Sequence, residues 1–111
     1  MKKQDYFISM KNGTALVSGY VYSIGSIRIG ITRTALNGKD LGAWNVTELF
    51  SGCCVTFGQS TLKEAINDFR EKYLDRVERA LLQYQKNGGQ DVNPGLIPRY
   101  TVWTVYTRKT A

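Results

Sequence analysis

The most reactive side chains of the sequence are two adjacent cysteines, Cys53 and Cys54. The 111-residue chain contains no histidine, so neither thiol has an imidazole base, and catalytic triads and histidine metal sites are excluded. Two thiols alone also fall short of a tetrahedral zinc site. Neighbouring side chains of a strand point to opposite faces, which would strain a disulfide between them. We therefore expect two free, functionally silent thiols, one of them buried, with no metal and no cofactor.

The carboxylates give no better support for catalysis. Acid–base catalysis by carboxylates needs two of them close together, in environments that separate their pKa values. Outside residues 61–86 the acidic residues lie in different segments of the chain. These residues are Asp5, Asp40, Glu48 and Asp91. No glycine-rich stretch is followed by the lysine of a phosphate-binding loop. The sequence predicts a protein that is not an enzyme.

The charge indicates a binding protein. The net charge is +6, from 15 basic and 9 acidic residues, which favours acidic partners or polyanions and argues against mimicry of DNA. Aromatic rings can stack on bases while Arg and Lys neutralise phosphates, although aromatic residues also occur in strands because they pack well there. The candidate binding residues are Tyr20, Tyr22, Arg28, Lys39, Arg99, Trp103, Tyr106 and Arg108.

Alternating apolar residues and turn signals predict that most of these side chains lie on strands. The predicted strands are residues 6–10, 14–22, 26–34, 44–50, 53–58 and 99–108. Residues 35–42, which include Asn37-Gly38, are expected to form a solvated loop. In the third strand the isoleucines share one face and Arg28 lies on the other. We expect Tyr20, Tyr22 and Arg28 on the sheet face that points away from the helix.

One long amphipathic helix follows the first strands. Thr61 and Glu64 fit a capping box, and Asn87-Gly88-Gly89 ends the helix. Its apolar residues recur at helical spacing. These are Leu62, Ile66, Phe69, Tyr73, Val77, Ala80, Leu81 and Tyr84. The helix is longer than a strand of this protein, so its last turns either overhang the sheet or rest on a loop formed by residues 87–98.

Together these elements predict a single α+β domain over residues 1–111, with an antiparallel sheet of five to six strands and the order ββββ(β)αβ. One helix covers only one face of such a sheet, so the other face is expected to be polar, solvated or in contact with a partner. Met1-Lys2-Lys3 is followed by polar residues, and no apolar run is long enough to span a bilayer. We therefore expect a cytoplasmic protein without a membrane segment.

The stretch from Trp44 to Gly52, followed by Thr61-Leu62-Lys63-Glu64-Ala65, resembles a strand–turn–strand–helix unit of small phage and mobile-element proteins. In this local respect it is similar to integrase arm-binding domains, in which three strands precede a helix, and to some anti-CRISPR proteins. The long meander before this stretch and the strand after it depart from the integrase domains. The resemblance implies an accessory protein of a phage or mobile element, and no functional residue is carried over from it.

Three functions remain open at this point. The first is a non-catalytic module that docks on a nucleic-acid-handling protein and inhibits or modulates it, as anti-CRISPR proteins do. The second is direct nucleic-acid binding through a basic-aromatic sheet face. The third is a structural protomer, for example a homodimer, that pairs through a sheet edge or through the overhanging helix.

Overall fold

The strands come first along the chain, and one long helix separates the last of them from the rest. The computed structural model describes residues 1–36 and 39–102, with side chains for residues 1–33 and 39–102. The strands are β1 (Gln4–Met10), β2 (Gly13–Ile24), β3 (Ile27–Leu36), β4 (Lys39–Glu48), β5 (Cys53–Gln59) and β6 (Tyr100–Thr101). The helix consists of α1 (Leu62–Asp68), a π-helical turn (Phe69–Tyr73) and α2 (Leu74–Lys86). The predicted α+β fold and its element order are confirmed.

Strands β1 to β5 form an antiparallel sheet in chain order, and β6 joins it in parallel beside β2. Strand β2 is long enough to pair with both β1 and β6. Its first half pairs with β1, and its end, at Tyr22 and Ser23, pairs with β6. The prediction that the last strand inserts beside an early one is therefore confirmed. Residues 103–108 of that predicted strand lie outside the described residues.

One face of the sheet packs against the helix. The register places Tyr20 beside Ile31 and Tyr22 beside Ile29, so the tyrosines share the face of the isoleucines. From the helix, Phe69 packs on this face and is fully buried. This is the larger of the two buried clusters in the described part of the chain.

The opposite face of the sheet is covered as well, so the expectation of an open face is wrong. The ring of Tyr6 on β1 lies over Gly30, where a β-carbon would have no room. Tyr6 forms a second buried cluster with Val21 and Leu49. The sheet curls far enough that the amide of Ser9 donates a hydrogen bond to the carbonyl of Gly52, at 2.7 Å. The strong curl of the sheet brings β1 to the turn between β4 and β5.

The segment predicted as a loop, residues 35–42, is mostly strand. Ala35 pairs with Asp40 and Leu36 with Lys39, so only residues 37 and 38 separate β3 from β4. Asn-Gly is the dipeptide that most favours such two-residue connections. Lys39 and Asp40 follow this connection and are part of the hairpin. They are polar because both faces of a hairpin are solvated near its turn.

Strand β5 lies at an edge of the sheet and is irregular. The register with β4 shifts between Trp44 and Val46 and again between Val46 and Thr47, which leaves extra residues in β5. Gly58 takes a φ of 89°, a conformation that a side chain would disfavour. Bulges of this kind bend an edge strand and break its ladder of hydrogen-bonding groups. They disfavour assembly through this edge.

The helix begins with the predicted capping box. Thr61 Oγ1 accepts from the Glu64 amide at 3.0 Å, and Glu64 Oε1 accepts from the Thr61 amide at 3.2 Å. The π-helical turn then adds a residue relative to regular helical spacing. Beyond it Leu74 packs towards the core, whereas Ala80, predicted on the apolar face, is exposed.

Candidate functional site

The predicted binding residues do not share one face. Tyr20 and Tyr22 lie on the helix side of the sheet, where Tyr22 is 8% exposed and belongs to the core. Arg28 lies on the opposite side, since its neighbours Ile27 and Ile29 point to the helix. The prediction that these three residues form one surface facing away from the helix is wrong. The alternation of residue types along one strand shows which of its residues share a face. The register between two strands decides which of their faces lie on the same side of the sheet.

Arg28 holds the segment that follows the helix. Its Nη1 donates to the carbonyls of Asn93 and Leu96, at 2.8 and 3.0 Å, and its Nη2 contacts Asp91 Oδ1 at 2.7 Å. The Asn93 side chain in turn bonds both the amide and the carbonyl of Phe7, at 2.6 and 2.9 Å, as a neighbouring strand would. These contacts assign Arg28 a structural position within the fold.

The remaining predicted residues are dispersed. Lys39 is exposed at the start of β4, and Arg99 is exposed before β6, where its amide donates to the side chain of Gln4. Trp103, Tyr106 and Arg108 lie outside the described residues. Among the predicted residues that the structure describes, Tyr20 alone belongs to the cluster of cations and rings described next.

Two adjacent rings, each with a cation at its side of the pair, form a row across strands β2 to β4. The rings of Tyr20 and Trp44 have centroids 6.1 Å apart and are tilted by 40°. Lys3 Nζ lies 5.9 Å from the Tyr20 centroid, and Arg33 Cζ lies 5.0 Å from the Trp44 centroid. Both separations are within the range of cation–π attraction. We call Lys3, Tyr20, Trp44 and Arg33 the basic-aromatic row.

Three members of this row, Lys3, Arg33 and Trp44, are not among the predicted binding residues. Arg33 and Trp44 are cross-strand partners in β3 and β4. Counting outward from a two-residue turn at residues 37 and 38 would pair Arg33 with Gly42. The register shifts between Arg33 and Ala35 and moves the partner of Arg33 to Trp44, and no local signal in the sequence indicates this shift. Lys3 carries no signal either, since it precedes β1.

Asp40 is a counter-ion at the end of the row. Its carboxylate accepts from Arg33 Nε at 3.1 Å, lies 2.9 Å from Arg33 Nη2, and accepts from the Gly42 amide at 2.7 Å. The Gly42 amide, followed by Arg33, holds the pKa of Asp40 below its usual range. Arg33 is therefore partly neutralised, although its side chain remains 37% exposed.

A groove separates α2 from the sheet. Its volume is about 420 Å³, and most of its lining is apolar. The lining residues are Glu48, Ser51, Cys53, Cys54, Val55, Tyr73, Arg76, Val77, Ala80, Leu81 and Tyr84. A second groove of about 480 Å³ runs along the other flank of the helix and includes Leu82, which is 63% exposed. We call the first of these the α2 groove.

The Glu48 carboxylate and the two thiols of the α2 groove have surroundings that limit their reactivity. The Glu48 carboxylate, which is buried, accepts hydrogen bonds from the Phe50 amide and from the amide and hydroxyl of Ser51, at 2.6, 2.9 and 2.6 Å. Both cysteines carry free thiols and are exposed, so the expectation that one is buried is wrong. Although Cys54 is exposed as a residue, its sulfur is partly desolvated, and this desolvation, followed by the neighbouring Cys53, raises the pKa of the Cys54 thiol.

Comparisons of the chain with protein-family models, with curated proteins and with solved structures give no match. Within the described residues, no three Cys, Asp or Glu side chains form a group that could hold a metal ion. The helix of the described region also lacks the length and apolar character needed to cross a membrane.

Proposed function

We propose that the protein is a non-catalytic interaction module that docks on a nucleic-acid-handling protein and inhibits or modulates it. The observation that carries this proposal is the position of α2. None of its residues is buried, and open grooves flank it on both sides. An amphipathic helix gains most of its stability from packing its apolar face. A partner that fills one of these grooves would cover apolar side chains of α2 that the sheet leaves uncovered.

The side chains that line the α2 groove suit an amphipathic helix with acidic flanks as the partner element. The apolar side chains of the groove suit the i, i+3, i+4 anchors of such a helix. Because Glu48 is satisfied by its own turn, Arg76 supplies the charge that the groove offers to a ligand. A carboxylate beside an apolar anchor would pair with this guanidinium.

The reactive groups support a role without catalysis. An activated cysteine needs a lowered thiol pKa, whereas the pKa of Cys54 is raised. Glu48 has its carboxylate enclosed by hydrogen bonds from one turn, which leaves it poorly placed to exchange protons with a substrate. The resemblance of residues 44–65 to phage and mobile-element proteins supports the choice of a nucleic-acid-handling partner.

A defined peptide pair tests the docking chemistry. The probe is an amphipathic helical peptide with leucines at i, i+3, i+4 and i+7 and glutamates on its flanks, and its counterpart carries lysines instead. We expect saturable binding of the acidic peptide in a fluorescence-polarisation titration, with weaker binding of the basic one. Ala80→Glu, which places a carboxylate in the groove, should abolish binding. The matched control Gln83→Glu adds the same charge on the same helix outside either groove and should not.

A photo-crosslinker at Ala80 then identifies the physiological partner in a nuclease-treated bacterial lysate. The captured protein is purified, and its nucleic-acid activity is measured with wild-type protein and with Ala80→Glu. Inhibition by the wild type and the Gln83→Glu control, but not by Ala80→Glu, is the expected result. Crosslinks only to a second copy of this chain would instead indicate a structural protomer, and equal inhibition by all variants would contradict docking through the α2 groove.

A further inference from the structure

We propose that the basic-aromatic row is a second binding site, which takes single-stranded nucleic acid by stacking bases on Trp44 and Tyr20. This function is separate from docking through the α2 groove, because the row and the groove share no residue. The row combines what single-strand platforms require, namely adjacent rings flanked by cations that neutralise the backbone.

The geometry of the row supports bases rather than a protein side chain as its ligand. Two partly exposed rings with centroids 6.1 Å apart offer π-faces to more than one base. A cation lies over each ring, Lys3 over Tyr20 and Arg33 over Trp44, so a base that stacks on that face replaces the cation, which then pairs with the phosphate. Stacking tolerates any base, so we expect little sequence preference.

Asp40 regulates the strength of this site. Its carboxylate holds Arg33 through two of the three guanidinium nitrogens, so a phosphate must compete with it. Removing the negative charge of Asp40 should therefore strengthen binding, which is a result that a purely structural row would not give. Because Asp40 is exposed and solvent screens its charge, the expected gain in affinity is small, roughly fivefold.

The first test uses labelled oligothymidine and oligouridine, which distinguish DNA from RNA, and a duplex of the same length. Fluorescence anisotropy at two salt concentrations should show binding of both single strands and weaker binding of the duplex. With Lys3 and Arg33 as the phosphate contacts, the logarithmic salt dependence should be about −1.4, from about −0.7 per single-strand contact. Equal binding of duplex and single strands, or no binding of either strand, would overturn the proposal.

Variants then separate a binding role from a structural one. Trp44→Leu should weaken binding by roughly tenfold to a hundredfold, the range of one stacked base, and Asp40→Asn should strengthen it about fivefold. Arg33→Gln should weaken binding, whereas Arg79→Gln, an equal charge loss on α2, should have a smaller effect. Ala80→Glu should leave oligonucleotide binding intact, so failure of this site and failure of the α2 groove are distinguishable.

Because Trp44 packs partly against the core, the charge variants provide the test if Trp44→Leu does not fold. Circular dichroism and thermal unfolding establish that each variant is native. Native Asp40→Asn and Arg33→Gln proteins that both bind oligothymidine like the wild type would refute the role of the row. Opposite shifts in affinity for these two variants would support it.

Discussion

The two ends of the long helix carry the same amphipathic pattern but are held by very different packing. Up to the first residue of the π-helical turn, Ala65 and Phe69 are fully buried against the sheet, whereas α2 has no buried residue. Helical periodicity therefore indicates which face of a helix is apolar, and says nothing of how deeply that face is covered. An apolar stripe longer than the surface beneath it leaves its far end available for another ligand.

The π-helical turn lies between these two parts. This turn contains one residue more than a regular helical turn. The residues of α2 that approach the core after it are Leu74, Val77 and Leu81. The end of α2 has a single aromatic anchor within the described residues, where Tyr84 meets Phe50 edge-to-face at 6.0 Å. Packing of the helix thus decreases from α1 to the end of α2.

The largest expected effect tests the packed part of the helix. Phe69→Ala should lower the free energy of unfolding by about 3–5 kcal/mol, because it removes a fully buried ring and leaves a cavity. Urea denaturation followed by circular dichroism measures this loss. A loss below about 1 kcal/mol would mean that the helix does not pack on the sheet through this residue.

An intermediate effect is expected at the anchor of α2. Tyr84→Ala should cost about 1–2 kcal/mol, since it removes the ring pair with Phe50 and the hydrogen bond from the tyrosine hydroxyl to the carbonyl of Gln90. Hydrogen exchange should show lower protection for amides late in α2 and unchanged protection for those in α1. Equal loss of protection in both parts would show that the helix opens as one unit.

The smallest effect is expected at the exposed face of α2. Leu82→Ala should change the free energy of unfolding by less than about 0.5 kcal/mol, because the side chain is 63% exposed and alanine is a better helix former. The same denaturation experiment measures it. A loss above about 1 kcal/mol would show that this leucine is covered in solution.

Local signals in the sequence predicted the elements well. The capping box at Thr61 and the order of the strands and the helix required only local patterns, and the structure has both. The hairpin at residues 37 and 38 was missed because the polar residues after it resemble a loop. The pairing of Arg33 with Trp44, on which the basic-aromatic row depends, also requires the register shift between Arg33 and Ala35, which no local signal indicates.

Contacts between distant segments could not be predicted from patterns within each strand. The alternation in β2 gives two faces, but only its pairing with β3 shows that Tyr22 joins Ile29 in the core. Arg28 looked like a surface cation because its strand alternates cleanly. Its partners Asp91 and Asn93 lie more than 60 residues later, where no local signal refers back to it.

The bonds between Asn93 and Phe7 also set the order in which the protein is completed during synthesis. β1 can pair with β2 early, but its bonds to Asn93 join residues 86 positions apart, so they cannot form until almost the whole described chain has left the ribosome. Until then the cluster around Tyr6 and Leu49 is incomplete on its outer side. Contacts of such long sequence separation slow folding, and the nascent chain has a period in which this apolar cluster is accessible to chaperones.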